Sequence, residues 1–291
     1  MAFRFKKKKG AASSRGEKRE QIRAEEERKN LLTTRSDFFV REAYKILRTN
    51  VMFSLTEEKD CNVIVVTSSL QSEGKSITAV NLAISYVQTD RKVLVMDCDL
   101  RRPKLARLMG VKSEVGLSNL LLRPELKEKA IVHTEQKGLD IILAGDIPPN
   151  PSELLGSMRM KRLLESLRAD YDYIILDTPP VNVVTDAVVL APQSDGVLFV
   201  VRANQSERGA IIHAVEQLEY AKAKILGFVL NSVDMEKTNY GYRKYRYRRY
   251  SRYKKYGYGY GYGGYGGYGY GYGYSSRPQM PLEDVREQDE T

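Results

Sequence analysis

NVIVVTSSLQSEGKS, residues 62–76, decides the fold. The first half is an apolar, β-branched run of the kind found in strands buried on both faces of a parallel sheet. The second half is a short polar loop ending in Gly74-Lys75-Ser76, and SITAVNLAISYVQ (76–88) continues as an amphipathic helix. Between a strand and a helix, such a loop is a phosphate cradle, the Walker A or P-loop. Its backbone N–H groups, here those of Ser72, Glu73, Gly74, Lys75, Ser76 and Ile77, surround phosphate at the positive end of the helix. The Lys75 ammonium reaches the outer phosphates, and the Ser76 hydroxyl ligates Mg2+. The consensus carries a glycine five positions ahead of Gly74, where this chain has Ser69.

Outward from this stretch the same alternation repeats. KVLVMDCD (92–99), DIILAG (140–145), YDYIILDTPP (171–180), GVLFVVRA (196–203) and KILGFVLNSV (224–233) read as strands. SELLGSMRMKRLLESLRAD (152–170) and ERGAIIHAVEQLEYAKA (207–223) read as helices. Ahead of the first strand, FFVREAYKILRTNVMFSL (38–55) sets Phe39, Ala43, Ile46, Leu47 and Val51 at roughly helical spacing, which predicts a helix packed on the domain. Apolar strands alternating with helices specify a doubly wound α/β domain with a mostly parallel sheet, over residues 37–239.

Two of these strands end in acids: Asp97 and Asp99 in VLVMDCDLRRP, and Asp177 in YIILDTPP. Open α/β sheets bind ligands at the carboxyl ends of their strands, so these carboxylates are expected beside the phosphate loop. Mg2+ needs only one or two protein oxygens beyond its waters, which Ser76 and these aspartates can supply. An aspartate there serves equally as a cap for the next helix, and Asp99 before Leu100 is open to both readings. Arg101 and Arg102 are open too, either to phosphate or substrate charge or to a salt bridge at a helix start.

The 291-residue chain carries a formal net charge of +10, unevenly spread. Residues 1–36 hold twelve Lys/Arg against five Glu, and 240–274 hold eight Lys/Arg and no acid, whereas 37–239 balance 25 basic with 27 acidic side chains. The near-neutral core argues against a domain surface built for nucleic acid, and the basic extensions suit anionic membrane or acidic partners. No run approaches the ~20 apolar residues of a membrane-spanning helix, and MAFRFKKKK lacks the apolar region of a signal peptide. Cys61 and Cys98 sit in or beside apolar runs, which fits buried free thiols in a reducing cytoplasm and not a disulfide framework or metal cluster.

Fifteen of the twenty tyrosines cluster near the C-terminus: Tyr240, Tyr242, Tyr245, Tyr247, Tyr250, Tyr253, Tyr256, Tyr258, Tyr260, Tyr262, Tyr265, Tyr268, Tyr270, Tyr272 and Tyr274. YGYGYGYGGYGGYGYGYGY (256–274) has no apolar period and a glycine at nearly every second position. It cannot bury a core, so disorder is expected here and in the acidic end 275–291, and disorder or a frayed helix in the basic extension 1–36. A flexible segment dense in phenols, attached to a phosphate-handling domain, reads as a phosphorylation substrate. A stacking surface for RNA, polysaccharide or itself is the other reading of the segment alone.

In order and spacing, SEGKS, VLVMDCDLRRP and YIILDTPP, followed by that tyrosine cluster, resemble the bacterial protein-tyrosine kinases of capsule and exopolysaccharide synthesis, over about residues 37–274. Each motif alone is shared with P-loop ATPases of the cell-division-positioning and plasmid-partitioning type, the alternative reading. That type uses an extra lysine near the start of the loop, where this chain has Ser69 and Leu70. The resemblance implies ATP and Mg2+ as cofactors, Lys75 and Ser76 on phosphate and metal, and Asp99 and Asp177 completing the Mg2+ site. It makes Asp97 the base for an incoming tyrosine hydroxyl, and likeness to related ATPases puts Asn231 on adenine.

The same resemblance implies autophosphorylation in trans and control of capsular or exopolysaccharide synthesis and export. Family members form rings through an E-x-x-R-x-x-R helix packed on the neighbouring nucleotide site; Glu42, Lys45 and Arg48 hold those positions here. Lys45 replaces an arginine and loses its bidentate geometry. A simple Glu42–Lys45 pair within the helix is the other reading. Without a spanning segment the chain resembles the split family form: cytoplasmic, and recruited to the inner face of the membrane by a separate membrane-protein activator of the polysaccharide co-polymerase kind. A protein-tyrosine phosphatase is a further expected partner, and no specific nucleic acid is. A glycine-rich segment of ~35 residues spans roughly 30–35 Å r.m.s., so its nearest tyrosines reach a neighbouring subunit more easily than their own site. Phosphorylation adds about −1.5 to −2 charges per tyrosine, which reverses the sign of the basic segment.

Overall fold

The computed structural model describes residues 25–55 and 59–233; the tyrosine cluster at 240–274, the acidic end at 275–291 and residues 1–24 lie outside them. Helix α1 (Phe38–Ser54) leads into β1 (Asn62–Ser68), followed by α2 (Lys75–Val87), β2 (Val93–Asp97) and the short helices α3 (Leu105–Met109), α4 (Leu117–Leu122) and α5 (Lys127–Ala130). Next come β3 (Ile131–His133), β4 (Leu139–Ile142), α6 (Pro151–Leu155), α7 (Met158–Leu167) and β5 (Tyr173–Asp177). The remaining elements are α8 (Asp186–Leu190), β6 (Gly196–Arg202), α9 (Arg208–Tyr220) and β7 (Ile225–Asn231).

The strands make one seven-stranded sheet in the order β3-β4-β2-β5-β1-β6-β7. Every neighbouring pair is parallel except β3–β4. Strands β2 and β5 are buried at every residue and β1 at all but its first, as the unbroken apolar runs require. Successive residues of β1 point to opposite faces, so Val63 and Val65 join one core layer and Ile64 and Val66 the other. The first layer includes Met160 and Leu164 of α7 and Ala214 and Leu218 of α9. The second includes Leu82 and Tyr86 of α2 and Val51 of α1.

Four details depart from the pattern expected of the sequence. In α1 the side chains that meet the core are Tyr44, Leu47 and Val51, while Phe39 and Ile46 stay 51% and 59% exposed. The helix carries two apolar stripes, and only one faces the sheet. The helix expected over 152–170 is interrupted: Gly156 ends α6, and Ser157, in extended conformation, accepts from Met160 N to start α7. Strand β3, three residues antiparallel to β4, is too short for alternation to reveal. Edge strand β7 is covered on one side only, with Phe228 and Leu230 56% and 60% exposed.

Packing also begins ahead of residue 37. Leu32 is buried, its N–H donates to Asn81 Oδ1 at 2.7 Å, and Asn81 Nδ2 donates to the Asn30 carbonyl at 3.0 Å. The Arg28 guanidinium donates twice to the Arg107 carbonyl, one of the orphan acceptors in the last turn of α3. Among the described residues no helix is long and apolar enough to cross a membrane.

Candidate active site

The loop between β1 and α2 is held by side chains where the consensus relies on glycine. Positive φ falls on Ser72 (65°) and Gly74 (96°) and not on Ser69, so a side chain is tolerated at Ser69. The Ser69 hydroxyl donates to both oxygens of buried Glu73, at 2.9 and 3.0 Å. Leu70 N donates to the same carboxylate at 2.7 Å, and the Ser206 hydroxyl donates to it from beyond β6. Glu73 is therefore the internal clamp of the loop. Two residues paired at the ends of neighbouring strands, Arg202 of β6 and Asn231 of β7, reach the loop's outer side. Arg202 Nη1 donates to the Ser72 carbonyl at 2.7 Å, and Asn231 Nδ2 to the Glu73 carbonyl at 3.0 Å. Gly74 has no room for anything larger, since a Cβ would stand 1.9 Å from Asn231 Nδ2.

Lys75 and Ser76 open α2 and are buried beside the ends of the central strands. Asp97 and Asp177 are register partners on β2 and β5, so their carboxylates lie side by side. Asp97 Oδ2 accepts from the N–H groups of Lys104 (3.1 Å) and Leu105 (3.0 Å), capping α3, and Oδ1 accepts from Asp99 N at 3.3 Å. Asp99 Oδ1 accepts from Arg102 N at 3.0 Å. Asp177 is the exception: it is 1% exposed, and neither oxygen has a hydrogen-bond partner.

Burial raises the pKa of both Asp97 and Asp177. The facing Asp177 charge adds to the rise at Asp97, while Lys75 and the Ser76 hydroxyl pull Asp177 back down. An unpartnered buried carboxylate costs several kcal/mol unless a cation compensates it. The nearby donors are all hard oxygens, the chemistry that Mg2+ prefers, so the residues fit that ion. Among the described residues there is no cluster of three or more His, Cys, Asp or Glu able to cage a metal.

The structure thus brings together Ser72, Glu73, Gly74, Lys75, Ser76, Ile77, Asp97, Asp99, Asp177 and Asn231 at the carboxyl ends of the strands. Glu42, Lys45 and Arg48 lie on α1 instead. Glu42 and Lys45 pair with each other at 2.7 Å on the exposed face, and Arg48 donates to the Ser85 carbonyl of its own chain. Arg101 is bound bidentately to buried Asp186 (3.0 and 3.2 Å) and to Ser152 Oγ (3.1 Å), which ties the acidic loop to the start of α8. Arg102 faces Gln71 at the rim of the phosphate loop.

Sequence reasoning missed Arg202, Ser206 and Lys104. Half-buried Lys104 has its pKa lowered, by burial first and then by the Lys75 charge, while Asp177 and Asp99 oppose the fall. The ammonium therefore belongs to the same charge cluster as the site. Its position five residues beyond Asp99 falls in no motif, though its N–H sits where an acid at a strand end would cap the following helix.

Residues 61–227 match the AAA domain family. Tyrosine-protein kinase YwqD of Bacillus subtilis (strain 168) is 38% identical over 202 residues, covering 69% of this chain and 85% of that protein. The kinase domain of Escherichia coli tyrosine kinase ETK superposes with a TM-score of 0.65 at 37% identity, covering 70% of this chain and 80% of that one. The septum site-determining protein MinD complexed with Mg-ADP, from Pyrococcus horikoshii OT3, has a TM-score of 0.51 at 24% identity over 58% of this chain and 70% of its own. That last likeness shows a shared fold and no more.

Proposed function

The chain belongs to the tyrosine-protein kinases built on an AAA domain, and from that premise we propose that it phosphorylates its own C-terminal tyrosine cluster in trans and so regulates capsular or exopolysaccharide synthesis and export. The observation that carries this reading is the concentration of fifteen of its twenty tyrosines in residues 240–274. ATP would supply the phosphoryl group, and bound Mg2+ would supply positive charge against its oxygens.

The protein's part is to position the reactants and to take up a proton. The N–H groups of Ser72 to Ile77 and the Lys75 ammonium would hold the phosphates, Ser76, Asp99 and Asp177 would hold the metal, and Asn231 would meet the base. Asp97 accepts the phenolic proton. It does so in its ionised form, whose basicity burial raises, and Oδ1, with one long contact to Asp99 N at 3.3 Å, has lone-pair capacity left. Lys104 adds a second positive charge near Lys75 for the transferring group. A membrane-protein activator recruits the chain to the inner face of the membrane, neighbouring copies meet through Glu42, Lys45 and Arg48, and a tyrosine phosphatase resets the cluster.

Purified protein with MgATP, probed for phosphotyrosine, tests this reading, with Lys75→Met and a deletion after Asn239 alongside and the activator's cytoplasmic segment added. The expected result is labelling of the intact chain, none of Lys75→Met alone, and labelling of Lys75→Met by the deleted form. Labelling confined to other proteins would overturn the self-directed role while leaving the kinase intact.

A further inference from the structure

At the end of the sheet opposite the phosphate loop there is a cavity of about 310 Å3, lined by Arg48, Met52 and Phe53 of α1, Tyr86 of α2, Arg91 and Tyr173. Tyr173 is the first residue of β5 and Asp177 the last, so the cavity stands off from the catalytic carboxylates by the length of a strand, roughly 13 Å at ~3.3 Å per residue.

Three features give the cavity an unusual chemistry. The rings of Tyr86 and Tyr173 stack at 3.8 Å, 20° from parallel, and form an aromatic wall. The Tyr86 hydroxyl, buried beside the Tyr173 phenol, has no partner outside that stack. Two guanidinium groups flank the phenols: Arg48 spends a donor on the Ser85 carbonyl, and Arg91 spends one on Asp172 at 2.8 Å. Each guanidinium carries five N–H donors, so both retain capacity for an anion. Burial raises the pKa of Tyr86 and of Tyr173, which keeps both as O–H donors. The lining therefore offers an apolar slot for a ring, at the exposed side chains of Met52 and Phe53, and guanidinium donors for an anion at its end.

The geometry points to a second ligand site on this kinase, one that takes phosphotyrosine from the 240–274 segment of another copy of the chain. Size, the exposed apolar side chains of Met52 and Phe53 and the paired arginines match an aryl phosphate, which is the product of the family's reaction. Charge then decides occupancy. The unmodified segment carries eight Lys/Arg and no acid, so the cavity's arginines repel it, and each phosphate added turns that repulsion into attraction. The choice of this segment rests on the self-phosphorylation proposed above, whereas recognition of the aryl phosphate does not.

A labelled synthetic peptide of residues 257–264 phosphorylated at Tyr260, titrated into the full Lys75→Met chain and followed by fluorescence anisotropy, tests the site without any transfer taking place. The expected result is saturable binding at least tenfold tighter than that of the unphosphorylated peptide. Arg91→Glu, at a half-exposed surface pair, should weaken the phosphopeptide at least tenfold, and Phe53→Ala, at an 83% exposed side chain of the lining, should weaken it severalfold. Equal affinity for both peptides, indifference to Arg91→Glu, or displacement by MgADP would overturn the proposal, the last because it would move the ligand to the nucleotide site. Full displacement by an equal concentration of inorganic phosphate would overturn it too, reducing the cavity to a plain anion site. Absence of self-phosphorylation in the separate assay leaves this readout unchanged, so the two proposals fail distinguishably.

Discussion

At Gly74 a side chain is excluded twice, by a φ of 96° and by the amide of Asn231. Gly74→Ala should therefore cost about 2 kcal/mol, from ~1–2 for a left-handed L-residue and ~1 for the displaced Asn231 hydrogen bond, and should abolish binding of a fluorescent ATP analogue. Unaltered nucleotide affinity would show that the loop can rearrange. Asp177 makes the opposite kind of prediction. Its buried, unpartnered carboxylate serves the ligand and opposes the fold, so Asp177→Asn should raise the melting temperature of the nucleotide-free chain while phosphoryl transfer falls at least ~100-fold. The pH dependence has a definite sign. Asp97 and Asp177 both titrate above the usual value of 3.8, so as pH rises past it the folded state keeps protons that the unfolded chain has released. These two groups stabilise the nucleotide-free fold in mild acid and lose that contribution toward neutrality. In EDTA the melting temperature should fall over that interval, less steeply in Asp177→Asn. Asp195 is lowered despite its burial, by bonds from Val63 N, Lys59 and Arg168; its stability is lost only below 3.8. At this scale Gly74, Lys75 and the strand-end acids were legible because they carry motif chemistry. Glu73 as a clamp, Arg202 and Lys104 were not, because their roles arise only when distant strand ends are brought together.

Among the elements, the strands were the most legible, since an unbroken apolar run followed by an acid marks both burial and the functional end. Helix α1 was legible as a helix but not in its orientation: Phe39-Ala43-Ile46 and Tyr44-Leu47-Val51 are both apolar stripes, and only packing against α2 and β7 selects the second. Val51→Ala should cost about 2 kcal/mol in a denaturant titration, and Ile46→Ala less than ~0.5. If the Glu42 face meets a neighbouring copy, Ile46→Asp should shift the sedimentation coefficient of the kinase without shifting its unfolding midpoint; a shift in the midpoint would put Ile46 in the core instead. The Glu42–Lys45 pair adds only ~0.3 kcal/mol to the helix. The break between α6 and α7 was written in Gly156-Ser157, a helix stop followed by a cap, but the apolar period ran straight through it.

For the whole molecule, the last strand of the sheet among the described residues ends at Asn231, and both core layers draw on residues from Leu32 to Val229. Deleting residues 240–291 should leave the melting temperature of the domain unchanged. MgATP at a hundred times its dissociation constant should add about 2.7 kcal/mol to unfolding of the intact chain and of the deleted form alike, read as a matched rise in melting temperature that Lys75→Met abolishes. In the sequence, residues 240–274 follow β7, the strand whose last side chain rests on the phosphate loop. A pull on the chain beyond residue 233 is delivered first to Asn231, and through its single amide to the Glu73 carbonyl. The nucleotide pocket then sits at the end of a mechanical tether, and traction on the C-terminus would unlatch it before the sheet itself gave way.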